Sequence, residues 1–175
     1  MINSKELLQP LEHQVETHLM LAIKVFQNMD DVLLSTPAVD GGWSIAQCLW
    51  HLNSYGDFYL PLIQQAIEKQ ASKSFSSGWF GSYFIKMMNP LTGKRKYKAF
   101  HKHDPPAKPD AHETIANFIE QQERLLLLLR KADQADLNTR LPISISPLLK
   151  LKLGDVLGFI VAHDERHMQQ AQRVI

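Results

Sequence analysis

The chain has 175 residues, and its 45% apolar and 21% charged content excludes a wholly disordered or collagen-like protein. We expect one domain, residues 1–175, because a chain of this length can bury a core without disulfides. The net charge of +1 argues against a general nucleic-acid-binding surface, and no apolar run is long enough to predict a membrane partner. The single cysteine, Cys48, and a start without the apolar stretch of a signal peptide predict a cytoplasmic location.

Helical periodicity predicts two long helices in the first part of the chain. The first is predicted from about Ser4 to Leu34. The second is predicted from Ser44 to about Lys69, because Ser44 and Gln47 have the spacing of a capping box. Pro61 lies inside this second helix and is expected to bend or split it, since proline has no backbone donor.

Two further helices are predicted in the last part of the chain. Asp110, followed by Glu113, marks the start of the third, which extends to about Asp136. The fourth is predicted from about Gly154 to the C-terminus. Four long helices with a long crossover between the second and the third predict an all-α, up-and-down four-helix bundle.

The links between these helices give two more predictions. The crossover has about forty residues, and a link of that length is usually functional or partly ordered. Its aromatic part, from Trp79 to Met88, predicts a short helix that covers the bundle. The later link, from Leu141 to Pro147, alternates briefly but has a proline near each end, so we predict an extended loop.

His163 and His167 form an HxxxH pair on the fourth helix. At about 100° per residue they lie on the same stripe as Ile160 and Ala171, so both are expected to point into the bundle. Two imidazoles one turn apart can bind a divalent ion from one helix face. The alternative is two core histidines that bond only to neighbours, but each unmet polar partner would cost about 1–3 kcal/mol. With eight histidines and one cysteine, any metal site must use imidazole and carboxylate.

A third metal ligand is available on another helix. His51 lies at the flank of the apolar face of the second helix, from which its ring can reach a neighbouring helix. His18 occupies a comparable edge of the first helix. The spacing alone does not select one of the two.

Three marks occur in a specific order along the chain. Trp43-Ser44 opens the second helix, His51 follows in its second turn, and the segment His163–His167 lies near the C-terminus with Gln170. In these marks, and in helix order over essentially its whole length, the chain resembles the DinB-like superfamily, named for damage-inducible proteins, and its bacillithiol-transferase-like branch. The resemblance implies that His51, His163 and His167 bind one divalent metal ion. Imidazole ligands suit zinc, nickel, copper or iron, and of these zinc or nickel is expected.

A site of three neutral imidazoles leaves at least one coordination position open, which is typical of catalytic metal sites. Zinc with an open position lowers the pKa of bound water toward about 7 or binds a thiol as thiolate. The resemblance implies a metal-dependent transferase that activates a low-molecular-weight thiol for attack on an electrophile, in a homodimer. The alternatives are a hydrolase that uses metal-bound hydroxide and a non-enzymatic stress protein whose metal stabilises the bundle.

Other polar residues are candidates for supporting roles. Metal-bound histidines usually donate their second N–H to a neighbour, so nearby side chains could orient them, the alternative being a solvated helix face. The candidates are Gln47, Asp164, Glu165 and Arg166.

The crossover also carries a basic run, Lys94–Lys102, with five positive charges and no acid. It is either a solvated loop or a rim that attracts an anionic substrate. His101 and His103 form an HxH pair there, for which solvated side chains are favoured over a second metal site. Cys48 is predicted to be a buried, unreactive thiol.

Overall fold

The computed structural model describes residues 2–39, 41–68, 74–93 and 101–175. Four long helices dominate it, with two short helices, two 3₁₀ turns and two pairs of short strands. In chain order the helices and strands are β1 (Ile2–Asn3), α1 (Ser4–Lys24), α2 (Asp31–Ser35), α3 (Ile45–Ala66), β2 (Ser74–Phe75), α4 (Trp79–Met88), α5 (Ala111–Ala132), β3 (Arg140–Ile143), β4 (Ser146–Lys152) and α6 (Leu153–Gln172).

The four long helices form a bundle around one apolar interior. Helices α1 and α3 each pack against both α5 and α6. Helix α4, in the crossover between α3 and α5, packs on α6. The predictions of a four-helix bundle, of the long crossover and of its aromatic helix are therefore confirmed.

The first predicted helix is interrupted, which corrects the single span from Ser4 to Leu34. Helix α1 ends at Lys24, and the Asn28 side chain donates to the carbonyl groups of Ile23 and Lys24. Helix α2 then begins after Asp30, whose carboxylate accepts from the backbone N–H of Leu33. Polar side chains that bond to the backbone at these two points favour helix ends over helix interior.

The second predicted helix begins and continues largely as expected. Ser44 caps α3: its side chain accepts from the backbone N–H of Gln47, whose side chain accepts in return from the N–H of Ser44. Pro61 lies inside α3 without dividing it. The loss of one backbone hydrogen bond is thus tolerated within a well-buried helix.

The link from Leu141 to Pro147 is not a loop but part of a β-hairpin, which corrects the prediction. Strands β3 and β4 pair in antiparallel fashion, with an irregularity between Pro142 and Ile143. Both strands are edges, because within the described residues the sheet consists of these two strands. A proline can occupy an edge strand, where its missing N–H removes no ladder bond.

Two apolar clusters make up the core, one toward each end of the bundle. One contains the later part of α3 and α5 with the first half of α6, and the other contains the opposite halves of these helices. Between them lies a layer of buried polar residues, one from each long helix, which we call the polar layer: His18, Asn53, Gln122 and Asp164. The polar layer interrupts the apolar interior at the level of the predicted histidine pair.

Two further sequence predictions concern the basic run and the lack of a membrane-crossing segment. In the basic run, residues 94–100 lie outside the described residues, and His101 and Lys102 are exposed. Among the described residues, no helix has both the length and the apolar character needed to cross a bilayer.

Candidate metal centre

Three imidazoles meet between α3 and α6. The Nε2 atoms of His51 and His163 are 3.2 Å apart. One ring nitrogen from each of His51, His163 and His167 lies within 4.8 Å of the other two. The structure therefore brings together the three histidines that the resemblance selects, although they come from distant parts of the chain.

The spacing of these nitrogen atoms suits a shared metal ion. Two histidine nitrogens at about 2.0–2.1 Å from a tetrahedral zinc ion are about 3.3–3.4 Å apart. The observed separation of 3.2 Å between His51 and His163 is close to that value. The donor set, three imidazoles, suits zinc, nickel, copper or iron.

Hydrogen bonds orient two of the three rings. Nδ1 of His51 donates to the carbonyl oxygen of His103 at 2.7 Å, and Nδ1 of His167 donates to Oε1 of Gln170 at 3.0 Å. Because a carbonyl oxygen can only accept, each of these Nδ1 atoms carries the proton and leaves the Nε2 lone pair free. This is the arrangement that metal-binding histidines require.

The ring of His163 differs from the other two in its hydrogen bonding. Its side chain is buried, and its Nδ1 has no hydrogen-bond partner among the described residues. Its Nε2 faces the Nε2 of His51. The His51 Nε2 carries a lone pair, because the proton of that ring is on Nδ1. A cation between the two nitrogen atoms would satisfy both.

Burial keeps the three imidazoles neutral. It lowers the pKa of His51, lowers the pKa of His163 well below its ordinary value, and lowers the pKa of His167 to about 3. The neighbouring rings and the Arg166 charge lower the pKa of His163 and His167 further. All three lone pairs are therefore available to a metal at neutral pH.

Aromatic rings enclose the cluster on two sides. The Trp43 ring stacks on His167 with a centroid distance of 5.7 Å and contacts His51 at 4.9 Å. The Tyr55 ring lies 4.4 Å from that of His163. The tryptophan of the Trp43-Ser44 mark thus holds two of the three imidazoles in place.

A cleft of about 960 Å³ reaches the cluster from the surface. All three histidines line it, together with Tyr83 and Phe84 of α4 and Ile143 of the hairpin. The cluster is therefore buried but accessible to a small molecule. A structural metal site is usually closed, whereas this arrangement leaves space on one side of the imidazoles.

Comparison with known proteins decides the family. The family model of the DinB superfamily matches residues 14–171. The chain belongs to the DinB superfamily. None of the curated proteins matches it.

Among solved structures, this DinB-superfamily chain is similar to YfiT from Bacillus subtilis, described as a probable metal-dependent hydrolase with an unusual four-helix bundle topology. The two chains share 19% sequence identity with a TM-score of 0.57, over 99% of this chain and 88% of YfiT. At this identity the likeness shows the fold, which agrees with the predicted bundle.

His103 has a role in this DinB-superfamily protein that sequence reasoning missed. A solvated side chain was predicted, but His103 is buried and its ring stacks on Tyr55 at a centroid distance of 4.0 Å. Its Nδ1 is 2.9 Å from the Ser54 hydroxyl, and its carbonyl group orients His51. His101, by contrast, is exposed. The HxH spacing gave no signal for this role, because the backbone carbonyl group of His103 makes the hydrogen bond to His51.

Of the two acidic candidates on α6, Asp164 belongs to the polar layer and Glu165 contacts a residue of that layer, and neither lines the cleft. Glu165 is 2.7 Å from Nε2 of His18, and this hydrogen bond lowers the glutamate pKa to about 2. Asp164 accepts from the Gln122 amide at 2.9 Å, and burial raises its pKa to about 6. His18, the alternative third ligand, therefore pairs with a carboxylate.

The other two candidates bind backbone groups. The Gln47 amide donates to the carbonyl oxygen of Pro106 at 3.2 Å, which ties the crossover to α3. The Arg166 guanidinium donates to the carbonyl oxygen of Gly93 at 2.8 Å. Gln170 is among the residues that carry the resemblance, but the sequence did not indicate that it bonds to His167.

Cys48 is expected to be unreactive in the native protein. It is fully buried, and burial raises its pKa to about 12. At pH 8 a thiol with this pKa has roughly a thousandfold less thiolate than an ordinary cysteine, and only the thiolate is alkylated. Labelling with iodoacetamide, followed by mass spectrometry, is expected to modify Cys48 only after denaturation. Labelling of the native chain as fast as that of the unfolded chain would contradict this.

Proposed function

We propose that this protein binds one divalent ion, zinc or nickel, through His51, His163 and His167, and that it transfers a small thiol to an electrophile at this ion. The observation that carries the proposal is the convergence of three neutral imidazoles at the inner end of an open cleft. When bound, the ion would supply Lewis-acid chemistry, lowering the pKa of a thiol or water at its open position.

The surroundings of the cluster support a reaction on a small organic molecule. Hydrogen bonds to His103 and Gln170 fix two ligand rings before any ion binds. The side chains of Phe84 and Met87 offer an apolar surface for an electrophile.

A metal-dependent hydrolase is the second candidate. It is favoured by the likeness of the fold to YfiT, described as a probable metal-dependent hydrolase. The same three imidazoles would serve both reactions, since water and a thiol can occupy the same open position. The two candidates differ in whether a thiol is required.

Metal content tests the first step. Elemental analysis of protein purified without a metal-affinity tag is expected to find about one divalent ion per chain. The same measurement on His163→Ala is expected to find almost none, since two imidazoles remain. No ion in the wild type, or equal occupancy in the variant, would contradict the proposal.

The requirement for a thiol separates the two reactions. With 1-chloro-2,4-dinitrobenzene as the electrophile, metal-loaded protein is expected to accelerate product formation only when a small thiol is supplied. His163→Ala is the control for metal-independent background. Thiol-independent hydrolysis of 4-nitrophenyl acetate by the wild type alone would favour the hydrolase. If the protein binds metal but shows neither activity, the result would favour a non-enzymatic protein in which the ion stabilises the bundle.

Gln170 is expected to strengthen metal binding through His167. The Gln170 side chain fixes the protonated nitrogen of His167, and loss of such a partner typically lowers metal affinity by about 10–100-fold. Gln170→Ala is therefore expected to weaken zinc affinity in a competition titration with a chromogenic chelator. The matched control is Gln169→Ala, because the Gln169 amide contacts Glu165 instead. Equal affinities for both variants would contradict the role given to Gln170.

A further inference from the structure

Helix α4 has two faces of different chemistry. Its inner face packs on α6, with Gly81 directly over the buried carboxylate of Asp155. Its outer face carries three aromatic side chains that face solvent: Trp79 is 75% exposed, Phe80 is 59% exposed and Tyr83 is 52% exposed. Large aromatic side chains are usually buried, so three of them in solvent on one short helix indicate a surface that a partner covers.

These three rings lie against one another and form one surface, which we call the aromatic patch. The ring centroids of Trp79 and Phe80 are 4.8 Å apart. The rings of Trp79 and Tyr83 are nearly parallel, with centroids 6.2 Å apart. The aromatic patch is therefore contiguous, unlike the single exposed apolar residues that are common on protein surfaces.

The hairpin adds aliphatic side chains next to the aromatic patch. Strand β4 contacts α4. Leu148 and Leu149 of this strand are exposed, the first of them by 90%. Ile145, between the strands, is also exposed, and it lines the same cleft as Tyr83. Proteins that bind single-stranded nucleic acids stack bases on aromatic rings, whereas exposed leucine and isoleucine suit hydrocarbon.

Positive charge accompanies these apolar side chains. The sequence has no acid from residue 69 to 103 or from 137 to 154, yet these two stretches contain eight and three of the nineteen lysines and arginines. All eighteen acids lie in the rest of the chain. Lys86 on α4, one turn after Tyr83, and Lys150 on β4 are both exposed. The side of the protein with the aromatic patch therefore attracts anions.

This charge distribution disfavours a second copy of the chain as the partner. A two-fold dimer through the aromatic patch would bring the same surface of both copies together. Lys86 and Lys150 of each copy would then lie at one interface, and like charges oppose such an association. An anionic surface is attracted by the same lysines.

We propose that the outer face of α4 and the adjoining hairpin bind the surface of a membrane that contains anionic lipids. The aromatic patch enters the headgroup region, where tryptophan and tyrosine are favoured. Lys86 and Lys150 lie near the lipid phosphates. A short helix that lies along the surface binds without any membrane-crossing segment. Neither the metal ion nor a reaction at the ion is needed for this binding.

Co-sedimentation with lipid vesicles tests the inference. The protein is mixed with vesicles of phosphatidylglycerol and phosphatidylcholine in equal parts, or with vesicles of phosphatidylcholine alone. We expect about tenfold stronger binding to the anionic vesicles, because each lysine near an anionic surface contributes about a factor of five. Equal binding to both kinds of vesicle, or binding to neither, would overturn the inference.

An apolar variant locates the binding surface. Trp79→Ser is expected to weaken binding to the anionic vesicles by about tenfold, because the indole ring no longer leaves water. Its melting temperature should match that of the wild type, since the side chain is exposed. The matched control is Val32→Ser on α2, which removes an apolar side chain that is also 75% exposed. Equal binding by Trp79→Ser and the wild type would overturn the inference.

A charge variant is the second test of the same surface. Lys86→Gln combined with Lys150→Gln is expected to weaken binding to the anionic vesicles by about tenfold. The matched control combines Lys24→Gln with Lys108→Gln, because these lysines are exposed but lie outside α4 and the hairpin. Equal losses in the two double variants would show that net charge alone drives binding, which contradicts a defined surface.

Two further measurements distinguish the other partners. If light scattering finds a dimer in the wild type and a monomer in Trp79→Ser, the aromatic patch is a dimer interface and the inference fails. If a single-stranded oligothymidylate binds more tightly than the anionic vesicles, and Trp79→Ser abolishes that binding, the surface is a nucleic-acid site and the inference fails. We expect a mass that is the same in both proteins, and oligonucleotide binding weaker than vesicle binding.

Discussion

Zinc at a hundredfold excess over its Kd is expected to raise the free energy of unfolding of the wild-type protein by about 2.7 kcal/mol. For a chain of this size the melting temperature should rise by about 5–10 °C. The reason is linkage: the three imidazoles converge only in the folded chain, so the ion binds the folded state in preference to the unfolded state.

His163→Ala is expected to reduce this zinc-dependent rise to about 1 °C or less, because only two ligands remain. The matched control is His112→Ala, which removes an exposed imidazole that contacts Asp31. The control should keep the full rise. Differential scanning fluorimetry with and without zinc measures all three proteins. An equal rise in His163→Ala and in the wild type would show that zinc binds elsewhere.

The second large effect concerns the contact that holds α4 on α6. Asp155 is buried, and its carboxylate accepts from the Ser77 hydroxyl at 2.5 Å and from the backbone N–H of Gly78 at 3.0 Å. These bonds fix the start of α4, which forms a wall of the cleft. Gly81 lies directly over the same carboxylate, where an added Cβ would be 2.1 Å from Cγ of Asp155.

Gly81→Ala is expected to lower the free energy of unfolding by about 1–3 kcal/mol, because the new methyl group displaces α4. Asp155→Ala is expected to lower it by about 1–3 kcal/mol, because two donors lose their acceptor. The double variant should cost less than the sum of the two, by about 1–2 kcal/mol, since the methyl group then fits the space that the carboxylate leaves.

Urea denaturation measures the free energy of unfolding of the wild type, the two single variants and the double variant. Gly78→Ala is the control, because its Cβ would be 3.4 Å from the Asp155 carboxylate, an ordinary contact. It should cost less than about 1 kcal/mol. Additive losses in the double variant, or full stability of Gly81→Ala, would contradict the close contact between α4 and α6.

Only some residues of the metal centre could be predicted from helical periodicity. Helical phase selected His163 and His167, because both lie on one helix and their relative direction follows from the period. His51 came from the resemblance, since its position opposite the pair depends on how α3 and α6 pack. The role of His103 could not be predicted from its side chain, because its backbone carbonyl group accepts the hydrogen bond from His51.

The contacts between residues of the polar layer and their partners could not be predicted from the sequence either. Gln122 lies within an otherwise apolar face of α5 and His18 lies at the edge of the apolar face of α1, so the sequence could suggest that both are buried. Their partners, Glu165 and Asp164, come from another helix. Such pairs depend on the order of the helices around the bundle, which periodicity within one helix does not contain.

The parts of the fold with apolar periodicity over many turns were predicted correctly. The parts whose structure depends on local contacts were not. The four long helices follow from apolar spacing over many turns. The break after Lys24 depends on side-chain bonds by Asn28 and Asp30 to nearby backbone groups. The hairpin was missed because proline argues against a central strand, whereas both strands of this sheet are edges.

Anomalous diffraction at the zinc absorption edge, from crystals of the wild-type protein grown with zinc, tests the metal centre most directly. We expect one peak per chain within about 2.0–2.1 Å of a ring nitrogen of each of His51, His163 and His167. A fully formed cluster with no peak between the three imidazoles, or a peak bound only by other residues, would contradict the proposed centre.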